Sequence, residues 1–374
     1  MRRASRIRCS RHSWRNTIKE NEKMGTVNLH VNYKQPLVEA FEHTSVLTGK
    51  STTEFDWRGN SAIVLTDIET DELHDYNRTA SSNRYGTPTE VADRQQLLEL
   101  QKDRSFSKTV DKGNYQESNY LKKGASVIKA FMSEQVSPEM EKFAFGELAG
   151  NAGQVVAATS APTKSTILET VLSVETKMDD ARVPKANRFL AIANSYVALL
   201  KQSLLDCDDI TDEWVRKGVI GRIGTLHILP TVGSDLPTNC YMIGWQRRSF
   251  ANPKTIEDAK VSKDVPGISG ILVEGRFRYG AFVVGKRANG VVALVASSSK
   301  CATPTATKST TTAIASSTDD AVIRYTLDGS DPRYSKTAIT YSAAIANPAA
   351  GTKLRAVATK NGMFASDVLH HTCA

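Results

Sequence analysis

The chain is poor in the residues that carry chemistry. Its five cysteines, Cys9, Cys207, Cys240, Cys301 and Cys373, are odd in number and far apart, with no C-x-x-C pair. That pattern argues against a disulfide framework or a zinc site and fits a reducing compartment. No apolar run approaches the roughly 18 to 20 residues needed to span a bilayer, and the basic start lacks the apolar stretch of a secretory signal. No G-x-S-x-G, H-E-x-x-H or Cys–His arrangement occurs, so the common hydrolase and metalloprotease signatures are absent.

The fragments that resemble active sites each have a structural reading. Gly49-Lys50-Ser51 matches the end of a P-loop, but position 44, where the motif needs glycine, is Thr44. Gly218, Gly221 and Gly224 have the wrong spacing for a dinucleotide fingerprint and suit bulges or close backbone packing. Asp328 and Asp331 fall within one tight turn, where Asp bonds nearby backbone N–H groups, rather than astride a glycosidic bond. Asp206, Asp208 and Asp209, followed by Thr211 and Glu213, read as a helix start before Trp214 and Val215. His227 alternates with apolar neighbours as a strand residue does, and His370-His371 has no third ligand in sight. The sequence therefore assigns no catalytic, cofactor-binding or metal-ligating residue, and no cofactor.

Charge divides the 374 residues unevenly. Of the formal net charge of +8, residues 1–23 hold +6, with eight Lys or Arg against Glu20 and Glu22. The remaining body is close to neutral, which weakens a reading as a dedicated DNA-binding protein. Lys19-Glu20-Asn21-Glu22-Lys23 requires purine-dominated codons directly before Met24, as a bacterial ribosome-binding site would. Met24 is therefore the expected start, and residues 1–24 read as a disordered or untranslated leader. A basic arm touching DNA is the alternative.

What is present is periodicity. Ala62-Ile63-Val64-Leu65 reads as a strand after the turn residues around Asp56-Trp57, and the polar stretch 79–89 as a flexible connection. Leu121, Ala125, Ile128 and Met132 share a helix face. Ser137 suits an N-cap and Pro138 the first position of a second helix, continued by Met140, Phe143, Ala144, Leu148 and Ala149 until Asn151 and Gly153 stop it. Ile167, Val171, Val174 and Met178 make a further helix, ended before Arg182-Val183-Pro184. Residues 188–193 form a strand that Asn194-Ser195 turns into a helix, and 226–229 form another. Residues 280–285 and 290–294 read as a hairpin about Asn289-Gly290.

In this order, the segments from Phe55 through Leu294 resemble the major capsid proteins of tailed bacteriophages, the Hong Kong 97-type fold. The resemblance implies an α+β coat domain over residues 25–295. It has an N-terminal arm and a protruding E-loop between Gly25 and about Lys112, a stretch from Asp103 to Ala149 that leads into a long spine helix, and P- and A-domains. Residues 296–301, within a Ser/Thr-rich stretch, read as a linker. Residues 302–374 then carry Ile323, Tyr325 and Leu327 in strand alternation before Asp328-Gly329, with Tyr341 downstream and a strand from Lys353 before Asn361-Gly362. They resemble the small all-β Ig-like domain at the C-terminus of chitobiases and β-hexosaminidases, a module appended to many unrelated proteins.

Such a chain is expected to be a structural protein and not an enzyme. It would assemble with itself into pentamers and hexamers of an icosahedral virion shell, formed in the host bacterial cytoplasm. The implied partners are a separate scaffolding protein, a portal and packaged double-stranded DNA held without sequence specificity, with no membrane. The module at 302–374 would be displayed on the surface, dispensable for assembly and available for glycan or host-surface contact. The alternatives are an encapsulin-like nanocompartment shell and a carbohydrate-binding protein.

Overall fold

The computed structural model describes residues 45–57, 62–68, 75–79, 81–85, 90, 93–113, 124–205, 221–263, 265–267 and 269–373. The leader at 1–24, Leu121, the acidic stretch 206–213, Trp214 and Gly218 lie outside them.

The larger part of the chain is organised around a six-stranded mixed sheet. Its strands are β4 (Gln154–Ala158), β13 (Val291–Ala296), β8 (Cys240–Gln246), β5 (Arg188–Ala193), β7 (Leu226–Thr231) and β6 (Arg222–Ile223), side by side in that order. Because successive strand residues face opposite sides, β13 sends Val291, Ala293 and Val295 to one apolar cluster and Val292 and Leu294 to the other. The first cluster receives Ala144, Phe145 and Leu148 of the long helix. The second receives Ile167, Val171, Val174 and Met178 of α3 (Ile167–Asp180) and Val197 and Leu200 of α4 (Asn194–Leu205). Helices thus cover both faces of the sheet, and all four α3 residues picked out by their spacing are fully buried.

The long helix departs from the two-helix reading. Residues from α1 (Gly124–Phe131) to α2 (Ser137–Gly150) run on through a π turn, Met132–Val136, with the Ser137 N–H donating to the Met132 carbonyl. Ser137 has helical dihedrals and caps nothing. Pro138 has no N–H for the Glu134 carbonyl, and its ring would crowd that turn of a regular helix; the wide turn lies immediately before it, a common place for a π-bulge to absorb the misfit. Gly153 also differs from its expected role as a helix stop. It does not adopt a left-handed φ, but a Cβ there would lie 2.1 Å from the Ala288 carbonyl oxygen. Glycine is required by close approach of the two backbones.

Two further β units flank this layer. β1 (Ala62–Ile68) and β2 (Asp93–Glu99) pair antiparallel from Ala62↔Glu99 to Ile68↔Asp93. Their root is fixed by Leu98, Ala251 and Phe282 with Phe55, Trp57 and Leu65, Trp57 stacking on Phe282 at 5.3 Å. β3 (Lys102–Asp111), β10 (Lys254–Lys263) and β11 (Gly270–Tyr279) form a three-stranded sheet with β11 central, and Phe106 stacks between Phe131 and Phe277. The hairpin about Asn289-Gly290 does not form. β12 (Phe282–Val283) pairs with β9 (Phe250–Ala251), and a 3-10 segment, Gly285–Gly290, leads into β13. There the apolar run 291–295 is paired on both sides, by β4 and β8, which a two-stranded hairpin cannot provide.

After β13, Ser297–Ser299 forms a short 3-10 turn. The C-terminal module has one sheet of β14 (Thr305–Lys308), β15 (Thr311–Ala315) and β18 (Ile345–Ala346). The other is β17 (Ile339–Thr340), β16 (Val322–Thr326), β19 (Lys353–Thr359) and β20 (Leu369–Thr372). Ile314, Ile323, Tyr325, Leu354 and Ala356 fill the space between, with Cys301 and Cys373. Leu327 falls just beyond β16 and is exposed.

Candidate assembly interface

Several of the residues that hinted at chemistry are engaged in the fold, while Asp206, Asp208, Asp209 and Gly218 lie outside the described residues. The Lys50 carbonyl accepts from Trp245 Nε1 at 2.9 Å, which ties the P-loop-like segment to the coat core. Asp328 accepts from the Ser330 N–H, and Asp331 from the Arg333 N–H, so both act within the turn. Gly224, at φ +53, makes the bend between β6 and β7, and Gly221 accepts from the Ile228 N–H. His227 lies on β7, exposed. His370 and His371 are consecutive on β20 and face opposite sides, so they cannot chelate one ion. Among the described residues no group of three His, Cys, Asp or Glu is placed to hold a metal. Cys240, Cys301 and Cys373 are buried free thiols, and burial pushes Cys240 up to about 12, far from a reactive thiolate. No helix among the described residues is long and apolar enough to cross a membrane.

Two surfaces stand out instead. The first is the outer face of the β1–β2 hairpin. Val64 and Leu97 are directly paired and, with Ile68, are 52%, 55% and 59% exposed. Val64 and Ile68 border the cleft between hairpin and module, and Lys286 Nζ donates to the Ile68 carbonyl, yet all three aliphatic side chains stay more than half exposed. Exposed apolar side chains gathered on one strand face point to an interaction site.

The second is the junction between coat and module. Buried backbone carbonyls require donors, and the three after the long helix find them in the module. Tyr334 Oη donates to Asn151, and Arg333 Nη1 donates to Ala152 and Gly153. The Arg333 side chain is 8% exposed, held by Asp331 through its Nε and Nη2, and it brings positive charge to the negative end of the helix dipole. Tyr334 and Phe364 join the coat cluster around Phe145 and Trp245. Lys300 Nζ bridges the Val155 carbonyl and Asp367, and Asn239 donates to Ser299. None of these contacts was visible in the sequence, where Asp331-Pro332-Arg333-Tyr334 looks like an ordinary polar turn.

Comparison with solved structures fixes the architecture. A structure described as "Mycobacterium phage Che8" superposes with a TM-score of 0.57 at 17% identity, covering 75% of this chain and 98% of the other. "Capsid structure of the Cyanophage P-SCSP1u" gives 0.57 at 11% identity, covering 71% and 92%. "Asymmetric unit of bacteriophage PhiM1 mature capsid" gives 0.53 at 10%, again covering 71% and 92%. The chain has the Hong Kong 97-type capsid fold. In its terms the β1–β2 hairpin is the E-loop, the helix from Gly124 to Gly150 the spine helix, the three-stranded sheet the P-domain and the six-stranded sheet the A-domain. A family model described as Fn3 associated matches residues 313–373, within the small β-sandwich. A search of curated proteins found no match.

Proposed function

We propose that this chain is the major capsid protein of a tailed phage, a structural subunit that closes into pentamers and hexamers of an icosahedral shell around double-stranded DNA. The observation that carries the reading is the E-loop ribbon with Val64, Leu97 and Ile68 exposed, on a capsid fold. Exposed apolar side chains on this ribbon are stabilised when a neighbouring copy covers them. Repetition of such contacts around a closed symmetric shell turns modest interfaces into a stable assembly. The work proposed is geometric, and the turn aspartates bond within the fold in keeping with it. The virion is the proposed location, after assembly in the bacterial cytoplasm. A separate scaffolding protein and a portal are the proposed partners.

The Fn3-associated module belongs, on this reading, to the outer surface. Its aromatic residues, Tyr325, Tyr334, Tyr341 and Phe364, are all turned inward to some degree, so glycan or host-surface contact would rest on polar strand residues and not on aromatic stacking. An encapsulin-like shell shares the architecture but has no use for a displayed module. Electron microscopy of the full chain coexpressed with its scaffolding protein is the test. Closed icosahedral shells are the expected result, and a soluble monomer would overturn the reading.

A further inference from the structure

A cleft of about 1060 Å³ opens between coat and module. Its coat wall carries Lys177, Lys286, Arg287 and Lys300, and its module wall Arg333, Lys353 and Arg355, against only Asp67, Asp331 and Asp367. Arg287 is already paired with Glu54 outside the lining, and the other six cations facing three anions still make this wall more positive than the whole body after the leader, which keeps only +2 of the +8. The concentrated basic face that composition concealed is therefore here. Each of the three acids already meets a base: Asp67 faces Lys286, Asp331 faces Arg333 and Asp367 faces Lys300. Lys177 and Lys353, exposed on opposite walls, are in no ion pair among the described residues. A cleft with low-dielectric walls focuses such a field on an anionic ligand.

The fold also places this cleft at one edge of the A-domain sheet. β4, the outermost strand on that side, lines it through Gln154 to Ala157. The opposite edge is β6. α4 packs on β5 and β7, and β6 begins at Arg222. Between α4 and β6 the sequence Asp206-Cys207-Asp208-Asp209-Ile210-Thr211-Asp212-Glu213 has five acids and no base. A basic site on one side of a subunit and an acidic segment tethered to the other are the two halves of a heterologous, head-to-tail contact, the kind that generates rings when the rotation closes.

We propose that the cleft receives residues 206–213 of a second copy of this chain, so that the module helps form the site at which one subunit recognises the next. This inference rests on the capsid reading. A single acidic segment suits the charge of the cleft and its polar residues Gln95, Gln154 and Ser330.

The test uses the full chain coexpressed with its scaffolding protein and compares three variants: Lys177→Glu with Lys353→Glu, Asp208→Lys with Asp209→Lys, and all four together. Each double variant is expected to lose closed shells at physiological ionic strength, and the quadruple variant to regain them, because the pairing is restored with its signs exchanged. Wild-type assembly should weaken as salt screens the contact. Thermal unfolding of the isolated variants separates lost pairing from lost folding. Wild-type shells with double variants that assemble normally would overturn the pairing and leave the capsid reading intact, as would a quadruple variant that folds but recovers nothing. Nucleic acid that copurifies with wild-type shells and disappears from a cleft variant that still assembles would reassign the cleft to an outside polyanion and likewise overturn it. Absence of shells from the wild type would instead remove the capsid reading beneath it.

Discussion

Tyr334 Oη donates to the carbonyl of Asn151 across 2.6 Å, so a side chain of the C-terminal module serves the end of the spine helix. Burial pushes the Tyr334 phenol up, keeping it a neutral donor. With Arg333 beside it, the contact turns an appended domain into part of the coat. It also sits where the E-loop root arrives. Gln96 bonds Val283 and Gly285, and a Cβ at Gly285 would lie 2.8 Å from that of Tyr334.

Arg333→Ala should destabilise the full chain by about 2–4 kcal/mol, because it leaves the Ala152 and Gly153 carbonyls without a donor and Asp331 without its cation. Tyr334→Phe removes one hydrogen bond and keeps the packing, so its cost should be about 1 kcal/mol. Denaturant unfolding of both variants checks the order. Equal stability to wild type would mean that water replaces the junction at no cost.

Gly153→Ala should be more harmful than its single methyl group suggests. The added Cβ meets backbone at Ala288 and Asn289, not a movable side chain, and such overpacking costs about 1–3 kcal/mol or more. Gly146→Ala, inside the preceding helix and with nothing within 4 Å of the new atom, is the control and should be neutral or slightly stabilising. Thermal unfolding of the pair distinguishes close approach from helix propensity.

The contrast between those glycines bears on what was legible in the sequence. Ile167, Val171, Val174 and Met178 announced α3 because a buried helix face repeats every 3.6 residues, and 188–193 announced β5 because a short apolar run ended at a capping Asn194. The polar turn at Asp328-Gly329 and the strand beginning at Lys353 were equally local. What failed depended on partners far along the chain. Phe282–Val283 went to β9, and Val291–Ala296 went between β4 and β8. Sequence proximity around Asn289-Gly290 could not anticipate this. Arg333 and Tyr334 escaped notice for the same reason, since their partners lie some 180 residues upstream. An arginine and an aromatic side by side in an Asp-Pro turn were the only signal.

Acid should loosen the A-domain before the module. The fully buried Arg188 guanidinium contacts Asp179 at 2.7 Å and donates to Thr225 and Pro184, and its hydrogen bond holds the Asp179 carboxyl below the usual range. A depressed native pKa means that the unfolded chain binds the proton first. The stabilisation is therefore complete above the unfolded-state value, about 3.9, and fades as pH falls through the native one. Melting temperature should drop on acidification below about pH 4, and Asp179→Asn should lower it at neutral pH while flattening that acid dependence. An unchanged slope in the variant would place the acid sensitivity elsewhere.

Truncation tests the junction most directly. A Ser/Thr-rich linker implies that a stop codon near Ser299 leaves a complete coat. The contacts imply the opposite: the cut removes Tyr334 and Phe364 from the cluster around Phe145 and Trp245, strips the donors from Asn151, Ala152 and Gly153, and takes away Lys300 from Val155. It uncovers apolar surface and orphans buried carbonyls together, and each loss is costly where water cannot fully compensate. The shortened chain should therefore melt well below the full one and yield few shells or insoluble protein. Arg333→Ala in the full chain should move in the same direction by a smaller step. Shells of normal size and stability from the truncated chain would show that the coat closes by itself and that the module's grip on the spine helix is incidental.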